Sequence, residues 1–155
     1  GWCVGGGAAL AVACDIRVIG DGGTLYVPEI ERGMNMSWQS VPRIVNLVGP
    51  ARAKRIVIMA ERIAAARALE WGLVDEVTPA GGAFDKAMEM ALRVAAMPPV
   101  QVRMCKRGIN AAANALNDSV SALDIDQFLL AQTSADFDEG VNSFLEGRPP
   151  EYSGR

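Results

Sequence analysis

Three consecutive glycines, Gly5-Gly6-Gly7, follow a short apolar stretch, Trp2-Cys3-Val4, and precede the alanine-rich run Ala8 to Ala13. A strand that runs through such a turn into a helix leaves the first backbone N–H groups of the helix without acceptors, and the helix dipole favours negative charge above them. That arrangement holds an anion or stabilises an oxyanion as it develops. Positions without side chains also let a ligand lie against the backbone itself. A tight turn that needs glycine only for its dihedrals explains the same residues equally well. The second candidate is Glu29, set between Pro28 and Ile30. A carboxylate there can move protons at a substrate carbon, or it can be solvated or paired with Arg32. A third reading joins the two: Gly5-x-Gly7 with an acid about 20 residues on is part of the dinucleotide-binding fingerprint. That match fails where Leu10 stands in place of the third glycine. It fails again in the later chain, which lacks strand–helix alternation.

The elements that must position these residues follow from local pattern. Residues 1–4 read as a strand, 5–7 as a tight turn and 8–14 as a buried helix without a polar face. Asp15 to Ile19 alternates in polarity and Thr24 to Val27 is β-prone, with Gly20-Asp21-Gly22-Gly23 predicted as the turn between them. Pro28 ends regular pairing. From about Gln39 the pattern is helical, broken by Leu73–Val77, which reads as a last strand. Phe84, Ala87, Met88, Ala91, Leu92 and Ala95 share one helix face. After Pro98-Pro99 a second stripe runs Val102, Cys105, Ile109, Ala112, Ala113, Leu116, which makes Cys105 a core residue. Between Ser119 and Gln132 the apolar residues spread over more than one face, as in a helix packed between two bodies. Ser134 is the N-cap of a final helix with Asp136 and Asp138 in its first turn and Gly147 at its end.

A chain of 155 residues with 50% apolar composition supports one hydrophobic core. A net charge of -3 supplies no basic field for a phosphate polymer, so nucleic acid is excluded as a partner. Cys3, Cys14 and Cys105 are an odd set without paired spacing, which argues against a disulfide framework or a zinc site and for a reducing, cytoplasmic setting. No apolar run approaches the ~18 residues of a membrane span. The opening residues read like the interior of a domain, with the expectation that the chain is a fragment.

The run Gly1-Trp2-Cys3-Val4-Gly5-Gly6-Gly7-Ala8-Ala9-Leu10-Ala11-Val12-Ala13-Cys14-Asp15-Ile16-Arg17 resembles the signature of the enoyl-CoA hydratase/isomerase (crotonase) family. In that signature a small-residue strand, a triple-glycine turn and an apolar helix lead into Cys-Asp-Ile-Arg. Pro28-Glu29-Ile30-x-x-Gly33 resembles the family's next segment, at the matching distance. Val48 to Ala53, Ala66 to Val77 and Ser134 to Pro149 look like later family blocks in order.

The resemblance implies an α/β, crotonase-like (ClpP/crotonase) fold. Residues 1–80 would be the end of its stacked-turn β core and 81–155 an α-helical C-terminal trimerisation region, with the N-terminal half of the domain upstream. It implies that the Gly6 N–H is one of two donors to a thioester oxygen, the other lying upstream. Gly5, Gly6, Gly7, Pro28 and Trp38 are the implied substrate-binding positions; Trp38, Met34 and Met36 read either as core filling or as acyl-pocket lining. Hydratases of the family use two glutamates; here the first position is Ala9 and only Glu29 is an acid. One carboxylate suits a proton shuttle, the pattern of the enoyl-CoA isomerases. A non-catalytic acyl-CoA binding protein of the same fold is the alternative. Asp15 reads as a capping or turn residue, although an acid near this position is catalytic in some branches of the family. Arg52, Lys54, Arg55, Lys106 and Arg107 are either solvated faces or contacts for coenzyme A phosphates. The implied partners are an acyl-CoA substrate and copies of the same chain in a homotrimer or hexamer, without nucleic acid or membrane. No metal is implied and no cofactor beyond the coenzyme A of the substrate. The isolated fragment is expected to be inactive.

Overall fold

The structure is a computed structural model that describes residues 1–155, the side chain of Asp118 apart. Strand β1 (Trp2–Val4) runs through Gly5 into α1 (Gly6–Ala13); β2 (Val18–Gly20) and β3 (Thr24–Tyr26) follow, then a 3-10 turn over Glu29–Arg32. Next come α2 (Ser40–Val48), α3 (Pro50–Val57), β4 (Ile63–Ala64), α4 (Ala65–Trp71) and β5 (Glu76–Thr78). Four helices complete the chain: α5 (Ala83–Ala95), α6 (Pro99–Ala113), α7 (Asn117–Ala131) and α8 (Ala135–Glu146).

The strands form two small sheets. In one, β1 pairs with β3 in parallel, with Trp2 opposite Thr24 and Val4 opposite Tyr26, and β4 adds to β3 antiparallel. In the other, β2 pairs in parallel with β5. The Gly20–Gly23 turn is present, closed by Gly23 N–H on the Gly20 carbonyl at 2.8 Å. The two strands beside it do not pair with each other, because the chain steps from one sheet to the other there. An alternating pattern fixes which side of a strand is buried but leaves its partner open. The last strand is Glu76–Thr78 rather than 73–77, and Leu73 and Val74 lie in the buried approach to it. The short β4 has too few residues to leave a periodic signal.

The buried apolar residues are Ala8, Ala9 and Val12 of α1, Leu25 and Val27, Met36, and side chains of α2 to α4 such as Ile44, Ile56, Ile63 and Trp71. All lie before residue 80. Arg17 ties this body together: its Nε donates to the Leu73 carbonyl at 2.9 Å, Nη1 to the Cys14 carbonyl at 2.7 Å, and Nη2 pairs with Asp75 at 3.0 Å. A buried guanidinium thereby satisfies carbonyls at both the end of α1 and the entry to β5.

Helices α5 and α6 bury no residue, and Cys105, expected in the core, is exposed. An apolar stripe shows that a helix face has a partner, and the stripe does not say whether that partner belongs to the same stretch of chain. Helix α7 leaves Leu123, Ile125, Leu129 and Leu130 exposed, as its spread of apolar residues predicts.

Helix α8 begins as expected, with the Phe137 N–H donating to Ser134 Oγ at 3.2 Å, and ends on Gly147 in the left-handed region. Its first turn also holds the segment that follows it. Asp136 accepts from the amides of Ser153 (2.6 Å) and Gly154 (2.9 Å), and Glu139 accepts from the Glu151 amide (2.8 Å) and Arg148 Nη2 (2.7 Å). Hydrogen bonds to the charged form lower an acid's pKa: the Arg148 guanidinium holds Glu139 from 4.5 down to about 2, and the Ser153 amide lowers Asp136. Both carboxyls therefore stabilise the docked segment above the ordinary carboxylate range and lose that effect as they are protonated. Protection of the Glu151 amide, which donates to Glu139, from hydrogen exchange should thus fall as pH drops from 4.5 towards about 2. Protection that stayed constant over that range would show that Glu139 does not hold the segment.

Candidate active site

Because β1 and β3 are parallel neighbours with Val4 opposite Tyr26, the residues that follow the two strands emerge at the same edge. Those residues are Gly5-Gly6-Gly7 and Val27-Pro28-Glu29. The carboxyl ends of parallel strands are where open α/β sheets hold ligands.

Gly5 has φ +52, a left-handed backbone that favours glycine. Its N–H donates to the Tyr26 carbonyl at 2.9 Å and its carbonyl accepts from Ala9 N–H at 3.0 Å. Gly6 and Gly7 form the first turn of α1, are exposed, and have no intrahelical acceptor for their N–H groups. The second reason for glycine at position 5 is Glu29: a Cβ there would stand 2.7 Å from Glu29 Oε1. The carboxyl packs against the bare Cα.

Pro28 is buried and stands at the head of the 3-10 turn, its carbonyl accepting from Glu31 N–H and Arg32 Nη1, each at 3.0 Å. It orients Glu29 and is not part of the cavity wall. Glu29 itself is only 8% exposed, and its Oε2 is buried without a hydrogen-bond partner among the described residues. Arg32 is committed to the Pro28 carbonyl and to Glu31, so the reading of Glu29 as a solvated or Arg32-paired acid does not describe this geometry. Burial raises the Glu29 pKa above its ordinary value, and the charge of Arg32 offsets this only partly. The folded protein therefore holds this proton more tightly than the unfolded chain. The resulting contribution to stability is present below the ordinary carboxylate pKa and is lost as pH rises through the folded one.

Beside the glycine turn is a cavity of about 420 Å³ lined by Gly6, Ala9, Leu10, Ala13, Trp38 and Arg43. The Trp38 ring stands 3.8 Å from where a Gly6 Cβ would be, and Ala9 is buried at the cavity wall. Trp38 and Gln39 adopt φ 61 and 53, a conformation that side chains rarely take. They are held from two sides. Arg43 Nη1 donates to the carbonyls of Trp38 (3.2 Å) and Gln39 (3.0 Å), and Asp124 of α7 accepts from Ser37 Oγ (2.9 Å) and Gln39 N–H (3.1 Å). Arg43 and Asp124 were not legible as site residues, since neither sits in a chemical motif. Leu10 and Ala13 could have been found from their one-turn spacing to Gly6 and Ala9 on a single helix.

Of the other candidates, Met36 is core and Met34 half-buried, and neither lines the cavity. Asp15 is exposed and pairs with Lys106 of α6 on the surface. The Arg52 and Arg55 guanidiniums lie over the Trp71 ring at 5.5 and 4.9 Å. No group of three metal-ligating side chains occurs among the described residues.

The family model described as enoyl-CoA hydratase/isomerase matches residues 1–155. The 2,3-dehydroadipyl-CoA hydratase of Escherichia coli is 28% identical over 155 residues, covering 100% of this chain and 61% of that relative. The short-chain-enoyl-CoA hydratase of Clostridium acetobutylicum is 29% identical, over 96% of this chain and 57% of its own length. Among solved structures, a carnitinyl-CoA hydratase from Mycobacterium avium superposes with a TM-score of 0.93 at 31% identity, covering 100% of this chain and 60% of that one. The chain thus spans about three fifths of the length of the curated relatives it matches. A family match along the whole chain, together with a shared crotonase fold, means that this chain belongs to the enoyl-CoA hydratase/isomerase family.

Proposed function

We propose that the whole protein acts on an acyl-CoA thioester through an enolate, with the Gly6 N–H as one donor to the thioester oxygen and Glu29 as the acid/base. Glu29 removes a proton from the α-carbon of a β,γ-enoyl thioester, and the C–H electrons delocalise onto the thioester oxygen. An N–H aimed at that oxygen stabilises the charge where it forms. The same carboxyl then returns the proton to the γ-carbon, the double bond moves to α,β, and the oxygen recovers its carbonyl bond. Nothing is consumed and no cofactor is needed beyond the coenzyme A of the substrate. The observation that supports this reading best is the buried Glu29 carboxyl, its Oε1 against Gly5 and its Oε2 unpartnered among the described residues, in the same turn region as the Gly6 N–H. Burial makes that carboxylate a stronger base than an exposed one.

The relatives named above are hydratases, which favours water addition; Ala9 favours isomerisation, because the second carboxylate position is apolar. In the whole protein Glu29→Gln should preserve the pocket and lower kcat on the order of a hundredfold or more with a smaller change in KM. Steady-state assays on a β,γ-enoyl and a crotonyl-type thioester measure this. Turnover of either substrate by Glu29→Gln at the parent's rate would remove Glu29 from the mechanism. A parent protein that binds both thioesters and converts neither would instead make this an acyl-CoA binding protein.

Ala9 is buried at the wall of the 420 Å³ cavity, which gives an added carboxylate somewhere to go. Ala9→Glu should raise the ratio of hydration to isomerisation. An unchanged ratio in a folded variant would mean that the second position does not set the outcome.

The whole protein is further proposed to be a homotrimer or a hexamer of paired trimers, assembled through the helical region. Leu129, 54% exposed on α7, is continuous with the exposed Ile125 and Leu130, and apolar area of this extent calls for a covering partner. Leu129→Glu should therefore reduce the assembly size or its melting temperature. If both stay as in the parent, α7 is not at a subunit contact.

A further inference from the structure

The Glu29 carboxyl has no hydrogen bond that fixes Oε2, so its place depends on the backbone of the 3-10 turn that carries it. That turn is held by α8 and the segment after it. A Cβ on Gly140 of α8 would fall 2.3 Å from the Arg32 carbonyl carbon and 2.7 Å from Arg32 Cα. A Cβ on Gly33 would fall 2.3 Å from the Asp136 carbonyl oxygen and 2.7 Å from Phe137 Cα. Two glycines therefore allow the backbones of the turn and of α8 to touch directly. Beyond α8, the Tyr152 hydroxyl donates to the Glu31 carbonyl at 2.8 Å. The Arg32 guanidinium lies 4.3 Å over the Phe144 ring while it donates to the Pro28 carbonyl, which binds both ends of the turn to α8.

We infer that Gly140 and Tyr152 are positioning residues for Glu29, so that α8 and the 149–155 segment set the reach of the carboxyl to the substrate carbon. The inference rests on Glu29 being the acid/base. Arg32 follows Glu29 by one 3-10 turn, with a rise of about 2 Å per residue, so a displacement at Arg32 moves Glu29 with it. Proton transfer requires heavy atoms within about 2.6–3.2 Å, and a misplacement of about 1 Å can reduce the rate about a hundredfold.

The test is carried out on the whole protein with a β,γ-enoyl thioester, comparing Gly140→Ala, Tyr152→Phe and Glu29→Gln. The methyl of Gly140→Ala must push the turn away, and kcat should fall about tenfold to a hundredfold with KM within about twofold. Tyr152→Phe removes one hydrogen bond without changing shape, and kcat should fall a few-fold with KM again unchanged. A purely structural role would lower the melting temperature while kcat per folded site stayed at the parent value. If Glu29→Gln is inactive while Gly140→Ala and Tyr152→Phe keep the parent kcat, the positioning role is overturned and the acid/base reading stands. If Glu29→Gln retains parental turnover, both fall together. Should Gly140→Ala fail to fold, the kcat of Tyr152→Phe decides alone: a loss at constant KM supports the inference, and the parent value overturns it.

Discussion

The arrangement of the candidate site depends on one contact, the Glu29 carboxyl lying against the bare Cα of Gly5. It is possible because β1 and β3 run in parallel register, which brings the residue after Val4 and the residues after Tyr26 to the same edge. It is also possible because Gly5 carries no Cβ and takes a left-handed backbone that starts α1 with two free N–H groups. A side chain at position 5 would displace the carboxyl and strain the turn at once. The glycine turn and the carboxyl are thus brought together by a single backbone feature.

Around that contact the electrostatics divide into two kinds. Asp136 and Glu139 sit among amides and a guanidinium that favour their charged forms, and they stabilise the docked segment at neutral pH. Glu29 sits where burial disfavours its charge and Oε2 meets no donor. Burial of an acid in this way opposes its ionisation, whereas the two satisfied acids are held in their charged forms. The satisfied acids lie beside the turn that carries the unsatisfied one, so the stable part of the structure supports the strained part.

The helices from α5 onwards have a different relation to the core. The buried apolar residues all lie before 80, whereas α5 and α6 bury none and α7 exposes Leu123, Ile125, Leu129 and Leu130. Yet α7 reaches the site through Asp124, which holds the left-handed Trp38–Gln39 corner, and α8 reaches it through Gly140. The helical region therefore touches, from outside the core, two loops that carry cavity-facing or acidic side chains.

Much of this was legible in the residues themselves. The strand, glycine turn and helix at 1–13, the Ser134 cap, the stop at Gly147 and the excess apolar surface of α7 are all set by interactions within a few residues, where type and spacing suffice. Family blocks in order gave the fold, which the structural likeness supports. What was not legible depends on residues far apart in sequence. The two sides of the Gly20–Gly23 turn joined different sheets, Cys105 lay on the surface, Arg43 and Asp124 bonded the Trp38–Gln39 corner, and Gly140 met the Arg32 backbone. Periodicity reports that a face is to be covered, and a glycine reports that a backbone must come close. Which face and which backbone they meet is decided only when the whole chain has packed, because those contacts are made across sequence separations that local pattern does not encode.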